Sequence, residues 1–155
     1  GQQISVKAAD SIWLRLEGKV GSIVPENVGS CSIDNLKATG LTWRKAEYIR
    51  DIAIAFGQNK IFQHSWLYES DKKVIAELCK TRGIGNWTAQ MFLIFFLLRP
   101  NILPISDIGL QRACERHYSI SDKSQIHTLA RKWSPWCSVA TWYLWHSLDA
   151  TLVAY

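Results

Sequence analysis

The stretch 78–107, LCKTRGIGNWTAQMFLIFFLLRPNILPISD, constrains this chain more than any other part of it. It reads as the end of one helix, a tight turn at Gly83-Ile84-Gly85, a second helix, and a loop that delivers a single carboxylate, Asp107. Pro100 and Pro104 stop the second helix and bracket the loop. The two glycines stand where a turn between helices needs a positive φ or a backbone that comes close to a ligand. Past the turn, the free N–H groups that open a helix make an anion site, and Lys80 and Arg82 lie just before it. The turn therefore reads as a phosphate clamp and Asp107 as the group placed for chemistry.

No segment sustains a period-two alternation, so an all-α fold is expected. Val6, Ala9, Ile12, Trp13 and Leu16 give a helical period over 5–17, with Gly18 near its end. Residues 18–32 read as a loop punctuated by glycine and proline. Ser32 is a plausible cap for a short helix closed by Gly40, and Thr42 caps the next. That helix carries a buried stripe of Ala46, Ile49, Ile52, Ala53 and Phe56, with Arg44, Lys45 and Arg50 facing elsewhere. Phe62, Trp66 and Leu67 suggest a short helical stretch, and Ser70 caps the helix that runs into the turn.

Residues 87–99 are apolar nearly all round, the mark of a central buried helix, with Phe92, Phe95, Phe96 and Leu97 as core. Trp87 and Met91 share one face of it. Ser106 and Asp107 open a helix through Leu110 and Cys114, and Ser121 starts another carrying Ile126, Leu129 and Trp133. The last helix, from about Pro135, holds Trp136, Trp142, Tyr143 and Trp145. Trp13, Trp66 and Trp133 are expected in the core.

At 155 residues the chain has a single-domain length, and 48% apolar with 20% charged residues argues against disorder. A net charge of +5 leans toward a polyanionic partner, but many basic proteins bind none, so composition alone lifts nucleic acid only modestly. Cys31, Cys79, Cys114 and Cys137 form no C-x-x-C pair, so reduced buried thiols are expected rather than zinc or a disulfide framework. The longest apolar run, 91–98, is too short to cross a bilayer, and no signal peptide is visible.

Leu78, Gly83-Ile84-Gly85, Trp87-Thr88-Ala89, and the run from Leu103-Pro104 to Asp107 with Leu110 and Arg112 form one block. A second is GQQISVKAA at 1–9, and a third is Trp133-Ser134-Pro135-Trp136 with Trp145. In these blocks the chain resembles the helix-hairpin-helix (HhH-GPD) DNA glycosylases, and within them the 3-methyladenine DNA glycosylase II branch. A lone Gly-Ile-Gly is weak, but three colinear blocks covering nearly the whole chain are strong. The chain lacks an initiator Met and opens inside a block, so it is expected to be a fragment missing a preceding segment.

The resemblance implies a two-lobed helical domain over 1–155, with the hairpin motif at about 71–99. Lobe one would span about 32–104 and lobe two about 1–31 with 105–155, DNA lying in the groove between them. It makes Asp107 the catalytic residue, and Trp87 and Trp145 aromatic walls of a base pocket. Met91 stands where the resembled enzyme has a Tyr, and Trp142 would compensate. Gln3 would fill the gap left by a flipped base, or else be a polar helix entry. DNA would meet Lys45, Lys80, Arg82, Gly83, Gly85 and Thr88, the last alternatively a helix cap. The carbonyls of Cys79, Thr81 and Gly83 match a site where the family often holds an alkali cation against a phosphate. No other cofactor is implied, and the scattered cysteines exclude the iron–sulfur loop of the endonuclease III relatives.

An acid at a helix start is by itself most often a cap, and the colinear blocks turn that reading toward catalysis. A helix N-terminus favours negative charge, which suits the positive charge that develops on a sugar as its base leaves. Glycoside hydrolysis ordinarily uses a second carboxyl as acid, yet Ser106 stands where the resembled enzyme has another Asp. An alkylated purine already carries positive charge and leaves without strong acid help, so one carboxylate is enough. Trp87 holds the position of the Schiff-base Lys of bifunctional relatives, and no lysine lies between Lys80 and Asp107, so lyase chemistry is not expected. The expected activity is monofunctional excision of alkylated purines from double-stranded DNA, by an intracellular monomer with no membrane partner. A glycosylase for a deaminated or oxidised purine, or a non-catalytic DNA-binding module, remains as the alternative.

Overall fold

The structure, a computed structural model, describes residues 6–58 and 64–148, and every described element is helical. None of the described helices is long and apolar enough to cross a membrane. The chain divides into two compact units, Gly1–Ile84 and Gly85–Tyr155. Within the first unit Leu16 packs with Leu36 and Ala46, which ties the first helix to its successors; within the second, Arg99 and Ile102 are bonded to Ser138.

The first unit contains α1 (Val6–Val20), α2 (Pro25–Ser30), α3 (Ile33–Ala38), α4 (Trp43–Gly57), a 3-10 turn (His64–Leu67) and α5 (Asp71–Leu78). Ser32, Thr42 and Ser70 accept from Asn35, Lys45 and Lys73 N–H respectively, so the three expected caps start α3, α4 and α5. α1 runs through Gly18 and ends before Gly21, whose φ is +73°. The expected loop 18–32 contains α2, a correction with a clear cause. Pro25 opens that helix with a preset φ, and packing against α4 buries Val28, whereas its single apolar anchor leaves no periodic signal. Trp66 is buried as expected, but Trp13 is half exposed, because α1 turns Leu16 inward and carries Trp13 with Leu14 on the outer side.

The second unit contains α6 (Asn86–Phe95), α7 (Ile108–Tyr118), α8 (Lys123–Ala130) and α9 (Cys137–His146). Leu110, Ala113, Cys114, Ile126 and Leu144 form its core, with Trp133 packed partly buried against them. Asp122 rather than Ser121 caps α8, accepting from the Ser124 and Gln125 N–H groups. The expected buried helix 87–99 is shorter and less buried than its apolarity suggests. Only Ala89, Leu93 and Ile94 are buried, and Phe95 and Phe96 are 57% and 56% exposed. Apolarity all round does not enclose a helix; here its exposed rings stack instead, Phe92 on Phe96 and Phe95 on Trp145.

All four cysteines are free. Cys114 and Cys137 are buried, and burial pushes both thiols up, whereas Cys31 is half-buried and Cys79, on the turn after α5, is exposed.

Candidate active site

The loop between α6 and α7 is fixed at several points before it reaches Asp107. Leu98 takes a positive φ of 53°, and the Arg99 N–H turns back to the Leu93 carbonyl at 2.9 Å. The Ser138 hydroxyl donates to the Arg99 carbonyl at 2.6 Å and accepts from the Ile102 N–H at 2.9 Å. Gln90 donates to the Leu103 carbonyl at 3.2 Å, Gln111 donates to that of Ile105 at 2.8 Å, and the Asp107 N–H donates to that of Pro104 at 2.8 Å. A loop held this way from α6, α7 and α9 places one carboxylate reproducibly.

Asp107 caps α7, its Oδ1 accepting from the Leu110 N–H at 2.7 Å. The capping bond expected from the sequence is therefore present, and it is one of three. The Trp145 indole N–H also donates to Oδ1, at 2.7 Å, and the Trp87 indole N–H donates to Oδ2 at 2.8 Å. A carboxylate offers about four lone-pair directions, so among the described residues Oδ1 is fully engaged and Oδ2 keeps one. Asp107, Trp87 and Trp145 are each partly buried, which strengthens these bonds relative to water while leaving the group reachable.

Trp87 and Trp145, expected as pocket walls, are thus brought together with Asp107, but through their N–H edges. Phe95, expected in the core, lies near-parallel to Trp145 at 6.0 Å. Met91 lies half-buried one turn after Trp87. Trp142 is exposed on α9, its ring 3.9 Å from that of His146 and edge-on to Tyr143 at 5.2 Å. Ser106, beside the carboxylate, is exposed. Gln3 lies outside the described residues.

The turn residues separate into two kinds. Gly83 has φ +94°, and a Cβ there would lie 2.6 Å from the Tyr48 Cβ, so both backbone and packing require glycine. Gly85 has φ −96° and open space where a Cβ would go; it caps α6 with no side-chain bond. The first N–H groups of α6, Thr88 among them, therefore lack intrahelical partners. Lys80 pairs with Glu77 at 2.7 Å, and Arg82 lies over the Tyr48 ring and 3.7 Å from Glu47. Such exposed pairs contribute little and exchange readily for another anion. Lys45 stands in the first turn of α4.

Sequence reasoning missed the two indole bonds, the Phe95 stack and Gly109. The signal for Gly109 was available: it is a glycine in the first turn of a helix, two residues after the cap, with no turn to explain it.

A family model for the HhH-GPD superfamily of base excision DNA repair proteins matches residues 1–137. DNA-3-methyladenine glycosylase 1 of Schizosaccharomyces pombe is 28% identical over 151 residues, covering 93% of this chain and 66% of that protein. The structure of S. pombe 3-methyladenine DNA glycosylase (Mag1) in complex with abasic DNA superposes with a TM-score of 0.84 at 26% identity, over 96% of this chain and 76% of that one. A DNA-3-methyladenine glycosidase from Bacillus halodurans superposes at 0.74 with 34% identity, over 96% and 71%. The chain spans 45–66% of the length of the curated relatives it matches over most of its own residues.

Proposed function

We propose that this chain, which belongs to the HhH-GPD superfamily of base excision DNA repair proteins, hydrolyses the N-glycosidic bond of alkylated purines of the 3-methyladenine type in double-stranded DNA. The observation that carries the reading is the Asp107 carboxylate, fixed by three donors among the described residues, which leave one Oδ2 lone pair over. The names of the similar proteins support the substrate class.

As the bond breaks, its electron pair goes to the positively charged purine, which leaves neutral, and positive charge develops on the sugar. A carboxylate held about 4 Å from that charge stabilises it by roughly 4 kcal/mol at an effective dielectric near 20. Water then adds to the sugar carbon and gives its proton to solvent. Trp87 and Trp145 hold Asp107 by their edges, and their ring faces, with Met91 and Trp142, contact the electron-poor base. With Trp rather than Lys at position 87, water and not an amine is the nucleophile.

DNA phosphates approach the open start of α6 at Gly85 and Thr88 and draw Lys80 and Arg82 from their acidic partners, with Lys45 adding charge. The carbonyls of Cys79, Thr81 and Gly83 suit an alkali cation: they are neutral oxygens just past α5, and that of Thr81 keeps a lone pair beyond its bond from the Ile84 N–H. Gln3 fills the gap in the duplex.

The test is single-turnover release from duplexes carrying 3-methyladenine, 7-methylguanine, hypoxanthine or 8-oxoguanine. The methylated purines are expected to be released well ahead of the others. Preferential release of hypoxanthine or 8-oxoguanine would make this a glycosylase for another lesion. DNA binding with no release of any base would make it a non-catalytic module.

A further inference from the structure

Gly109 is the second residue of α7, its backbone is ordinary helix, and no positive φ demands a glycine there. Glycine in a helix is inferior to alanine, so its presence needs a cause. The cause lies across the site: a Cβ on Gly109 would sit 2.9 Å from Cδ1 and 3.1 Å from Nε1 of Trp145, and 3.0 Å from Oδ1 of Asp107. The near atoms are the pyrrole edge that carries the indole N–H and the oxygen that receives it. A rigid indole cannot yield there as the end of a flexible side chain would, and Phe95 stacks along its ring.

We propose that Gly109 is a positioning residue for the reaction: by carrying no side chain it seats Trp145 against Oδ1 of Asp107. The clamp that results leaves Oδ2 as the oxygen facing the sugar. The inference rests on the proposed excision and adds a direction to it. Among the described residues, Leu110 and Trp145 saturate Oδ1, whereas Oδ2 has Trp87 alone. If Trp145 is displaced, the Leu110 and Trp87 bonds remain but Oδ1 regains a lone pair, so the two oxygens become alike and the unshared electron density no longer favours Oδ2. Trp145 is then a second positioning residue, acting through its N–H as well as its ring.

The experiment compares Gly109→Ala, Trp145→Phe and the double variant with the wild-type protein. It uses single-turnover release of 3-methyladenine, a binding titration on an abasic duplex, and the indole N–H resonances of 15N-tryptophan-labelled protein. Gly109→Ala is expected to slow release about tenfold with affinity for the abasic duplex unchanged, and to move the Trp145 N–H signal away from its hydrogen-bonded position. In the Trp145→Phe background, where the donor is already gone, Gly109→Ala should add no further loss. Release at the wild-type rate by Gly109→Ala, an unmoved Trp145 signal, or losses that multiply in the double variant would each overturn the proposal. If the wild-type protein releases no alkylated purine, the excision reading fails instead, and the Trp145 signal still decides whether Gly109 seats the indole.

Discussion

Asp107→Asn is expected to leave lesion binding in place while slowing excision at least about a hundredfold, a loss of roughly 2.7 kcal/mol of transition-state stabilisation. Base flipping and aromatic stacking do not use the carboxylate's charge; the developing sugar cation does. The site adds a second consequence. The Asn carbonyl oxygen must take the Oδ1 place, where Leu110 and Trp145 both donate, which turns the amide NH2 toward the Trp87 N–H that donates at 2.8 Å in the native protein. Two donors then face each other, and the variant should lose about 1–3 kcal/mol of stability for one unsatisfied partly buried group. Trp87→Phe in the same protein should recover part of that stability without recovering activity. If Asp107 were only a cap, Asn would serve nearly as well and release would persist. A melting curve, a binding titration and a single-turnover assay on the same preparations separate these outcomes.

The two turn glycines should fail in different ways. Gly83→Ala puts a side chain at φ +94° and a Cβ 2.6 Å from the Tyr48 Cβ, so it should destabilise the protein by at least about 2 kcal/mol and lose DNA binding as a result. Gly85→Val meets neither obstacle, since its φ is −96° and nothing lies within 4 Å of the new Cβ. The poorer cap costs about 1 kcal/mol at most, so the melting temperature should stay near that of the wild type. Affinity for lesion-bearing and undamaged duplexes should fall together, about tenfold or more, because the phosphate can no longer approach the backbone. Wild-type DNA affinity in Gly85→Val would remove the phosphate clamp from the turn.

How far the chain could be read without coordinates depended on how local each determinant is. Ser32, Thr42, Ser70 and Asp107 start helices through bonds to residues three positions on, so their role is written in short spacings. α2 escaped notice because what holds it, packing against α4, lies outside its own six residues. The exposure of Phe95 and Phe96 was hidden for the same reason: the sequence shows that a helix is apolar but not what stands beside it. In the site, the catalytic candidate and both tryptophans were visible as a pattern. Their bonds were not, because the two indoles reach Asp107 from 20 and 38 residues away, and only the meeting of α6, α7 and α9 turns their N–H edges inward. Gly109 shows the middle case, an anomaly visible in the sequence whose meaning appears only when the Trp145 ring is seen against it.

The most direct test is the fate of a duplex carrying 3-methyladenine under single turnover with the wild-type protein, with borohydride present in a parallel reaction. The expected result is free 3-methyladenine and an abasic strand that stays intact until alkali is added, with no protein–DNA adduct trapped by borohydride. Retention of the base on the DNA, or a trapped adduct with strand breakage before alkali, would contradict hydrolysis driven by the Asp107 carboxylate.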